Sequence, residues 1–461
     1  MNKYERYKST ELSWSKHLPY YWNIKRIASI FDIRKEKNSP VRTKEILSLS
    51  AKYGVSLYSD KKEKGGNKPK EDLTSYYLCY SGDILVNCMN IVAGSVGISN
   101  YFGAVSPVYY PLLNMNADEN CTRYMEYVFR NYNFQRSLVG LGKGIQMSES
   151  EDGKLFTVRM RISWDILKTQ LLPVPPIEEQ VQIANYLDWK INEINKLIEI
   201  NKEKIKEIRK YIISEHERLI LNNDSEVKKL IIKNNIYDYS DKKIKIKRLK
   251  SVLKKIEKEA SLDSDIIICS NNGKSFVRGD KKIGLYSDNI KMYQNINKGQ
   301  LMIHGMDTWH GAICISDYNG RCTKVVHVCE TNEDKMYIYY YLRLLAFLEM
   351  YKPFSNGVRQ NTSDFRSWDK LGQINIIIPP IEKQYEISNT LTEIINNSEK
   401  LILEIINESE MLNKLKQSLI SEVVTGQIDV RDIAIPEYEK VAIADGEIEE
   451  TDEMEGKEYG N

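Results

Sequence analysis

The phrase SWDILKTQLLPVPPIEEQ, residues 163–180, returns 204 residues later as SWDKLGQINIIIPPIEKQ, residues 367–384. Nine of the eighteen positions are identical, and each copy stands at the start of a long helical pattern. Internal repetition decides the fold before any other signal, because two copies of one module give a pseudo-two-fold molecule with two similar binding surfaces. The sequence therefore predicts one unit that is written twice.

Fainter matches extend the repeat into the regions before each phrase. At a spacing of 222, Lys25, Arg26 and Ser29 match Lys247, Arg248 and Ser251. At a spacing of 217, six further residues recur, namely Gly82, Ile98, Ser99, Tyr101, Gly103 and Val108 as Gly299, Ile315, Ser316, Tyr318, Gly320 and Val325. The spacing shortens along the chain, so we expect two globular parts with a common fold and a shorter second copy, with the difference taken up in loops.

Composition sets broad limits on the class of protein. The chain has 461 residues, 28% charged and 42% hydrophobic, which is an ordinary balance for a globular protein. No apolar run approaches a transmembrane span, and the odd number of cysteines, seven, contains no CxxC pair. We therefore expect a cytoplasmic protein with reduced thiols and no membrane partner.

The net charge of +2 hides an asymmetry between the body and the C-terminal tail. Residues 431–461 hold eleven acidic and three basic residues, so the remaining 430 residues carry 63 basic and 53 acidic groups. A mildly basic body suits a nucleic-acid binder, although this signal is weak by itself. The acidic tail is predicted to be disordered.

Two long helices begin at the Pro-Pro pairs. In the first, apolar residues repeat every seven positions, with polar breaks at Asn201 and Glu215, and the second shows a similar pattern with breaks at Ser398 and Glu408. We call the row of residues predicted to face the other helix the seam of each helix. The predicted seam residues are Ile177, Ala184, Leu187, Ile191, Ile194, Ile198, Ile205, Ile208, Ile212 and Leu219 in the first helix, and Ile387, Leu391, Ile394, Leu401, Ile405, Leu412, Leu415 and Leu419 in the second. Helices of about 40 residues, each roughly 60 Å long, are expected to pack on each other as an antiparallel coiled coil. The alternative is two unrelated amphipathic helices on separate cores.

The globular parts are predicted to mix strands and helices. A glycine turn precedes the strand-like runs at residues 83–86 and 300–303, and helical stretches follow at residues 123–136 and 335–350. Glycine loops then occur in corresponding places, residues 140–146 and 356–361. Their cationic and amide side chains are of the types that contact phosphates and base edges, and the candidate DNA-binding residues are Lys143, Gln146, Arg359, Gln360 and Asn361. A purely structural turn explains the glycines equally well.

Motifs for catalysis are missing. The Pro-Pro pairs lack the Asn or Asp before them and the aromatic residue after them that an amino-methyltransferase needs, and no GxxxxGK[ST] phosphate loop is present. Acid-x-Lys triplets such as residues 280–282 are expected by chance in a lysine-rich chain. Cysteines and histidines between residues 304 and 329 could hold zinc or serve as small buried apolar residues, and the second interpretation is favoured. These residues are His304, His310, Cys314, Cys322, His327 and Cys329.

The order of globular part, long helix, globular part and long helix, the repeated PPIEEQ and PPIEKQ phrases, and the closing VVTGQIDV resemble the specificity subunit of type I restriction-modification systems. The resemblance covers residues 15 to about 432. Residues 82–86, GDILV, are similar to a strand of that family, whereas the second copy reads Gly-Gln-Leu at this place. The glycine loops also differ, with Ile-Gln-Met in the first copy and Val-Arg-Gln in the second.

The resemblance implies a non-catalytic subunit that reads a bipartite target in double-stranded DNA. It implies two DNA adenine methyltransferase subunits as partners, and motor-endonuclease subunits where these are encoded nearby. No cofactor is expected on this chain; S-adenosylmethionine, ATP and Mg belong to the partner subunits. The starts of the long helices are the candidate partner-binding positions, namely Pro176, Glu178, Gln180, Pro380, Glu382 and Gln384.

The resulting fold prediction is an α+β protein with a pseudo-two-fold internal repeat. It has two similar mixed α/β target-recognition domains, at residues 1–172 and 222–378, separated by two long helices, at residues 173–221 and 379–426, that pack as an antiparallel coiled coil. Residues 427–461 form a C-terminal segment with the acidic tail. The competing class is a scaffold that does not bind DNA, with two ligand-binding or peptide-binding domains joined by a coiled coil.

Overall fold

The structure is a computed structural model that describes residues 2–60, 68–142, 147–149, 155–157, 161–222, 245–279, 287, 289–354 and 364–441, with the backbone alone for 147–149 and 155–157. Its α-helices are α1 (Thr122–Phe129), α2 (Tyr132–Ser137), α3 (Trp164–Leu167), α4 (Ile177–Leu221), α5 (Leu249–Val252), α6 (Lys335–Phe347), α7 (Trp368–Leu371) and α8 (Ile381–Val424). Short 3-10 helices lie at Ile27–Ser29, Tyr58–Asp60, Ile91–Ala93, Ile290–Met292, Thr308–His310 and Lys352–Phe354.

The strands of the first copy are β1 (Tyr7–Ser9), β2 (His17–Pro19), β3 (Asn23–Arg26), β4 (Phe31–Ile33), β5 (Leu47–Ser50), β6 (Gly54–Leu57), β7 (Tyr77–Cys79), β8 (Ile84–Asn87), β9 (Val96–Ile98), β10 (Gly103–Val105), β11 (Tyr109–Asn114), β12 (Met147–Glu149), β13 (Leu155–Thr157) and β14 (Leu171–Val174). Those of the second copy are β15 (Lys245–Arg248), β16 (Lys254–Lys255), β17 (Ile267–Cys269), β18 (Ser275–Val277), β19 (Tyr293–Ile296), β20 (Leu301–His304), β21 (Ile313–Ile315), β22 (Gly320–Thr323), β23 (Val326–Glu330) and β24 (Asn375–Ile378).

Contacts divide the described chain into two compact units, and both long helices contribute to each. Among the described residues, unit 1 comprises the chain up to Asn201 together with residues 407–441, and unit 2 comprises the chain from Lys202 to Ile406. The division falls within α4 and within α8, so each unit contains one globular part and one segment of each long helix.

Unit 1 is built on a four-stranded antiparallel sheet in the order β4-β11-β8-β9. Its central strand β8 is buried along its whole length, as expected for an uninterrupted apolar run. Helix α1 packs on this sheet with four buried side chains, Tyr124, Met125, Val128 and Phe129. Two-stranded antiparallel pairs surround the sheet, namely β1 with β2, β3 with β14, β5 with β6, and β7 with β10.

Unit 2 repeats the sheet and three of these four pairs. Its four-stranded sheet has the order β16-β23-β20-β21, and the pairs are β15 with β24, β17 with β18, and β19 with β22. The predicted glycine turns are equivalent, since the Gly82 amide donates to the Ser99 carbonyl (2.8 Å) and the Gly299 amide donates to the Ser316 carbonyl (2.7 Å). Both glycines have positive φ, 92° and 85°, a conformation that favours glycine. The prediction of two globular parts with a common fold is confirmed.

The long helices pack antiparallel in each unit. In unit 1, the Asn201 amide donates to Ser409 Oγ (3.1 Å), and Lys416 Nζ donates to Asn195 Oδ1 (3.1 Å), so α8 residue numbers rise as α4 numbers fall. In unit 2, Ile205 packs against Ile402 and Ile405, and Tyr211 lines one groove with Asn397 and Ser398, so the residue numbers again run in opposite directions. The predicted antiparallel coiled coil is confirmed within both units.

The seam predicted for α8 needs a correction. Leu401 and Leu415 were expected in it, but their side chains are 46% and 54% exposed, while Ile402 is buried. The predicted polar break at Glu408 is likewise exposed, and its neighbour Ser409 is buried. Apolar residues are adjacent in α8, as in Leu401-Ile402, so spacing within one helix cannot tell which of them faces the partner helix.

The seam predicted for α4 largely holds, with one difference. Ala184, Leu187, Ile194 and Ile205 are buried, and Asn201 is a buried polar break. Glu215 was expected to be the polar residue of the seam, but its neighbour His216 is the buried one. The His216 side chain is 2% exposed and packs edge-on against the Tyr340 ring of α6.

After α8 the chain turns at Gly426 and runs along unit 1. Gly426 has a φ of 65°, and a Cβ at this position would lie 2.4 Å from Pro19 Cγ. The Gln182 side chain of α4 donates to the carbonyls of Val430 (2.9 Å) and Ile433 (2.8 Å), and the Asp429 amide donates to the Asn2 carbonyl (2.9 Å). The segment at residues 427–441 is therefore an integral part of unit 1. The predicted acidic tail beyond it lies outside the described residues.

None of the described helices is both long enough and apolar enough to cross a membrane.

Candidate functional site

The start of α4 is held by one buried glutamine. The Gln180 side chain is fully buried; its Oε1 accepts from the Cys121 amide (2.9 Å), and its Nε2 donates to the carbonyls of Glu119 (3.0 Å) and Pro175 (2.8 Å). Cys121 directly precedes α1, so this one side chain fixes the first turn of α4 to the start of the domain helix. All its contacts compensate for the loss of hydration on burial.

The start of α8 is built in the same way. Gln384 is fully buried; its Oε1 accepts from the Asp334 amide (3.0 Å), and its Nε2 donates to Glu333 Oε2 and to the Pro379 carbonyl, both at 2.8 Å. Asp334 also caps α6 by accepting from the Met336 and Tyr337 amides. In the structure, each of the two glutamines thus attaches a long helix to its globular domain. Their contact with a partner subunit, predicted from the sequence, stays a prediction.

Buried tyrosines complete this framework in both copies. The Tyr124 hydroxyl of α1 donates to the Pro173 carbonyl (3.1 Å), and the Tyr337 hydroxyl of α6 donates to the Ile377 carbonyl (3.0 Å). Pro173 and Ile377 occupy the same place in the repeated phrase. The sequence comparison missed the tyrosine pair because its spacing, 213, differs from that of the phrase.

The remaining predicted partner-binding residues lie at the surface. Pro176 and Glu178 are exposed at the start of α4, and Pro380 and Glu382 are exposed at the start of α8. Contact of these four residues with a partner subunit stays a prediction.

One buried carboxylate distinguishes the first copy from the second. Glu179 is 5% exposed and accepts from the hydroxyls of Tyr4 and Tyr21 and from Trp22 Nε1 (3.1 Å). Burial, and then the hydrogen bond to Glu179, raise the pKa of Tyr21 to about 12. The corresponding Lys383 is exposed.

The C-terminal segment covers this carboxylate cluster. The Arg431 guanidinium lies 4.9 Å from the Tyr4 ring centroid and 5.9 Å from that of Tyr21, and it pairs with Asp429 (2.7 Å). The sequence analysis did not single out these residues. The EEQ against EKQ difference between the two phrases was the available signal.

The candidate DNA-binding residues Lys143, Gln146, Arg359, Gln360 and Asn361 lie outside the described residues. Their contact with DNA stays a prediction.

The cysteines and histidines of the second copy lie in different surroundings. Cys314 and Cys322 lie in an apolar cluster with Ile267, Met302 and Val328, and burial raises the pKa of the Cys322 thiol to about 12. The His327 ring donates from Nε2 to the Phe365 carbonyl (2.7 Å). Over the described ranges, no three His, Cys, Asp or Glu side chains are grouped so that they could hold a metal ion.

The fold is therefore that of a duplicated α+β protein whose two long helices pack antiparallel. No family model matches the chain. A protein of Methanocaldococcus jannaschii, provisionally named the type I restriction enzyme MjaX specificity subunit, is 23% identical over 456 residues, which cover 93% of this chain and 98% of that protein.

A solved structure with a TM-score above 0.5 shares this fold. A chain from a structural study of complex assembly and conformational transition of the type I R-M system aligns with a TM-score of 0.62 at 12% identity, covering 89% of this chain and 99% of that chain. The HsdS subunit from Thermoanaerobacter tengcongensis aligns with a TM-score of 0.48 at 11% identity, covering 89% and 98% of the two chains. The predicted fold class and the predicted resemblance to type I specificity subunits are confirmed.

Proposed function

We propose that this chain is the specificity subunit of a type I restriction-modification system and binds double-stranded DNA at a bipartite target. The single observation that carries the proposal is the duplication: two domains of one fold, each fastened by a buried glutamine to its own long helix. The full-length similarity to a protein named as such a subunit supports it.

Each domain reads one half of the target. The two domains share a framework but differ in their surfaces, as the exposed residues Phe102 and Asn319 illustrate at equivalent positions after a spacing of 217. Different surfaces on a common fold read different base sequences, so the two half-sites differ from each other. The glycine loops around Lys143 and Arg359 remain candidates for base contacts.

The starts of the long helices supply the surface for two methyltransferase subunits. The exposed helix starts with Pro176, Glu178, Pro380 and Glu382 present the same residue types in each copy, as two identical partners require. Catalysis, with S-adenosylmethionine as methyl donor, belongs to those partners, and ATP and Mg belong to motor-endonuclease subunits where these are present.

Mapping of methylated adenines tests the proposal. The chain would be co-expressed with a type I DNA adenine methyltransferase subunit from its source genome, in a host that lacks other DNA methylation, and the host genome would be sequenced for modified adenine. We expect one bipartite motif when both proteins are present and none with either protein alone. A methylated motif without this chain, or no DNA binding by the assembled complex, would favour the scaffold class instead.

A further inference from the structure

The two domains contain equivalent loops, because the first and last residues of each loop make hydrogen bonds to equivalent strands. In the first domain, the Arg34 amide donates to the Pro111 carbonyl (2.8 Å), and the Ala104 amide donates to the Glu45 carbonyl (2.7 Å). In the second, the Ile256 amide donates to the Val328 carbonyl and the Arg321 amide to the Asp265 carbonyl, both at 2.8 Å. We call residues 34–45 the first loop and residues 256–265 the second loop.

The equivalent loops carry opposite charge. The first loop, RKEKNSPVRTKE, has five basic and two acidic residues, whereas the second loop, IEKEASLDSD, has one basic and four acidic residues. Lys35, Lys37, Arg42 and Lys44 are all exposed. This asymmetry lies between two copies of one fold, so the common framework does not explain it.

The backbone of the first loop is held by hydrogen bonds to a buried side chain of the loop itself. Asn38 is fully buried; its Oδ1 accepts from the amides of Arg42 (2.8 Å) and Thr43 (3.2 Å), and its Nδ2 donates to the Thr43 carbonyl (2.9 Å). At the base of the loop, Arg34 makes a two-bonded ion pair with buried Asp83, at 2.9 and 3.0 Å. The exposed cations are thus presented on an ordered scaffold, which lowers the entropic cost of binding.

Aromatic rings stack beside the first loop. The Arg34 guanidinium lies 4.4 Å from the Tyr80 ring centroid, Tyr80 lies 4.9 Å from Phe102, and Arg42 lies 5.8 Å from Phe102. Phe102 and its neighbour Tyr101 are 39% and 38% exposed. An exposed cationic and aromatic surface of this kind is typical of nucleic-acid contacts.

We propose that the first loop is a contact site for DNA backbone phosphates that is present in the first domain and has no counterpart in the second loop, with Lys37 and Lys44 as its principal cations. This inference rests on the proposed function and adds a site to it. Exposed lysines on an ordered loop create a positive surface potential, which attracts the negatively charged phosphates of DNA. The acidic second loop repels phosphate, so the second half-site is held by other residues.

The double variant Lys37→Ala/Lys44→Ala tests the inference in the assembled complex with the methyltransferase. Binding would be measured from low to moderate salt, on a duplex that carries the methylated motif and on one of random sequence. Each phosphate contact contributes about 0.9 to the slope of log K against log salt, so we expect the slope to fall by roughly 2. The loss of affinity should be the same on both duplexes, because phosphate contacts carry no sequence information.

Two controls separate this site from a general loss of charge. The variant Lys206→Ala/Lys210→Ala removes two exposed cations from α4 and should leave the slope unchanged, and Lys37→Arg/Lys44→Arg should retain it. Hydroxyl-radical footprinting should show that the alanine variant loses protection over one half-site only.

The outcomes distinguish the inference from the function on which it rests. Sequence-specific binding with an unaltered slope and footprint in the Lys37→Ala/Lys44→Ala complex overturns the phosphate site and leaves the proposed function intact. Equal loss of protection over both half-sites also overturns it. Failure of the unaltered complex to bind either duplex overturns both.

Discussion

At the scale of single residues, Gln180 and Gln384 show how the repeated phrase acts. Each uses both ends of its amide to satisfy buried backbone groups at the start of a long helix. Replacing such a side chain with an apolar one leaves a buried N–H group without a partner, which costs more than the hydrogen bond contributes. Identity between the copies at this position therefore reflects folding.

We expect Gln180→Leu to lower the free energy of unfolding of unit 1 by about 2–4 kcal/mol, because the Cys121 amide and the Glu119 and Pro175 carbonyls lose their partner. Urea unfolding followed by hydrogen exchange in α1 would measure it. The exposed neighbour provides the control, since Glu178→Gln should change stability by less than about 0.5 kcal/mol. Equal stability of the two variants would show that the amide does not hold the helix start.

His216 couples the stability of unit 2 to pH. Its ring is buried against Tyr340 and Phe347, and its Nδ1 lies 2.8 Å from the Ile212 carbonyl. Burial lowers the pKa of His216 from its usual value of 6.5 to about 4. Between these values the unfolded chain binds the proton and the folded chain does not, so stability is full above pH 6.5 and falls as the pH decreases toward 4.

The variant His216→Leu should remove this part of the pH dependence. Because of this residue, the free energy of unfolding of the parent should be about 2 kcal/mol lower at pH 5 than at pH 7, at 1.36 kcal/mol per pH unit. Unfolding of unit 2 at the two pH values, in parent and variant, would measure the difference. Equal loss of stability between pH 7 and pH 5 in the parent and in His216→Leu would contradict the coupling.

At the scale of elements, the long helices show that a heptad pattern identifies a coiled coil better than it identifies the facing side. Along α8 the buried positions Leu391, Ser398, Ile402, Ile405 and Ser409 follow spacings of three, four and seven. Polar residues occupy several of these positions, so apolar neighbours such as Leu401 give a misleading register.

Substitution of the neighbouring pair tests the corrected register. Ile402→Ala removes a buried side chain that packs on Ile205 and should cost about 2–4 kcal/mol, whereas Leu401→Ala removes a side chain that is 46% exposed and should cost less than 1 kcal/mol, as is typical of surface positions. Thermal or urea unfolding of the two variants would rank them. A larger loss for Leu401→Ala would restore the register expected from sequence.

At the scale of the whole molecule, the C-terminal segment contacts the beginning of the chain within unit 1. The Asp429 amide donates to the Asn2 carbonyl, and the C-terminal segment also lies on α4, where Asn192 exchanges hydrogen bonds with Glu439 and Val441. Ile428 and Val430 are buried in the same core as Trp22. The last described residues are therefore needed for the first domain.

A chain that ends after Gly426 should lose stability in unit 1 while unit 2 keeps its own. Loss of the buried Ile428 and Val430 side chains removes roughly 1.5–3 kcal/mol each. Hydrogen exchange would show faster exchange around Trp22 and unchanged exchange in α6. A chain that ends after Val441, without the acidic tail, keeps these contacts and should match the parent. Equal protection of both truncated chains around Trp22 would contradict the role of the segment.

The sequence by itself determined the duplication, the two long helices and their starts, and the resemblance to type I specificity subunits, because identity at fixed spacing and heptad periodicity are local signals. The tertiary structure decided which face of α8 is buried and that Gln180 and Gln384 attach the long helices to their domains. It also decided that Arg431 lies beside Tyr4 and Tyr21, whose hydroxyls donate to Glu179. Each of these depends on a partner far away in the chain, and a pattern within one segment contains no information about that partner. The same holds for the charge contrast between the first and second loops, whose equivalence rests on hydrogen bonds to other strands.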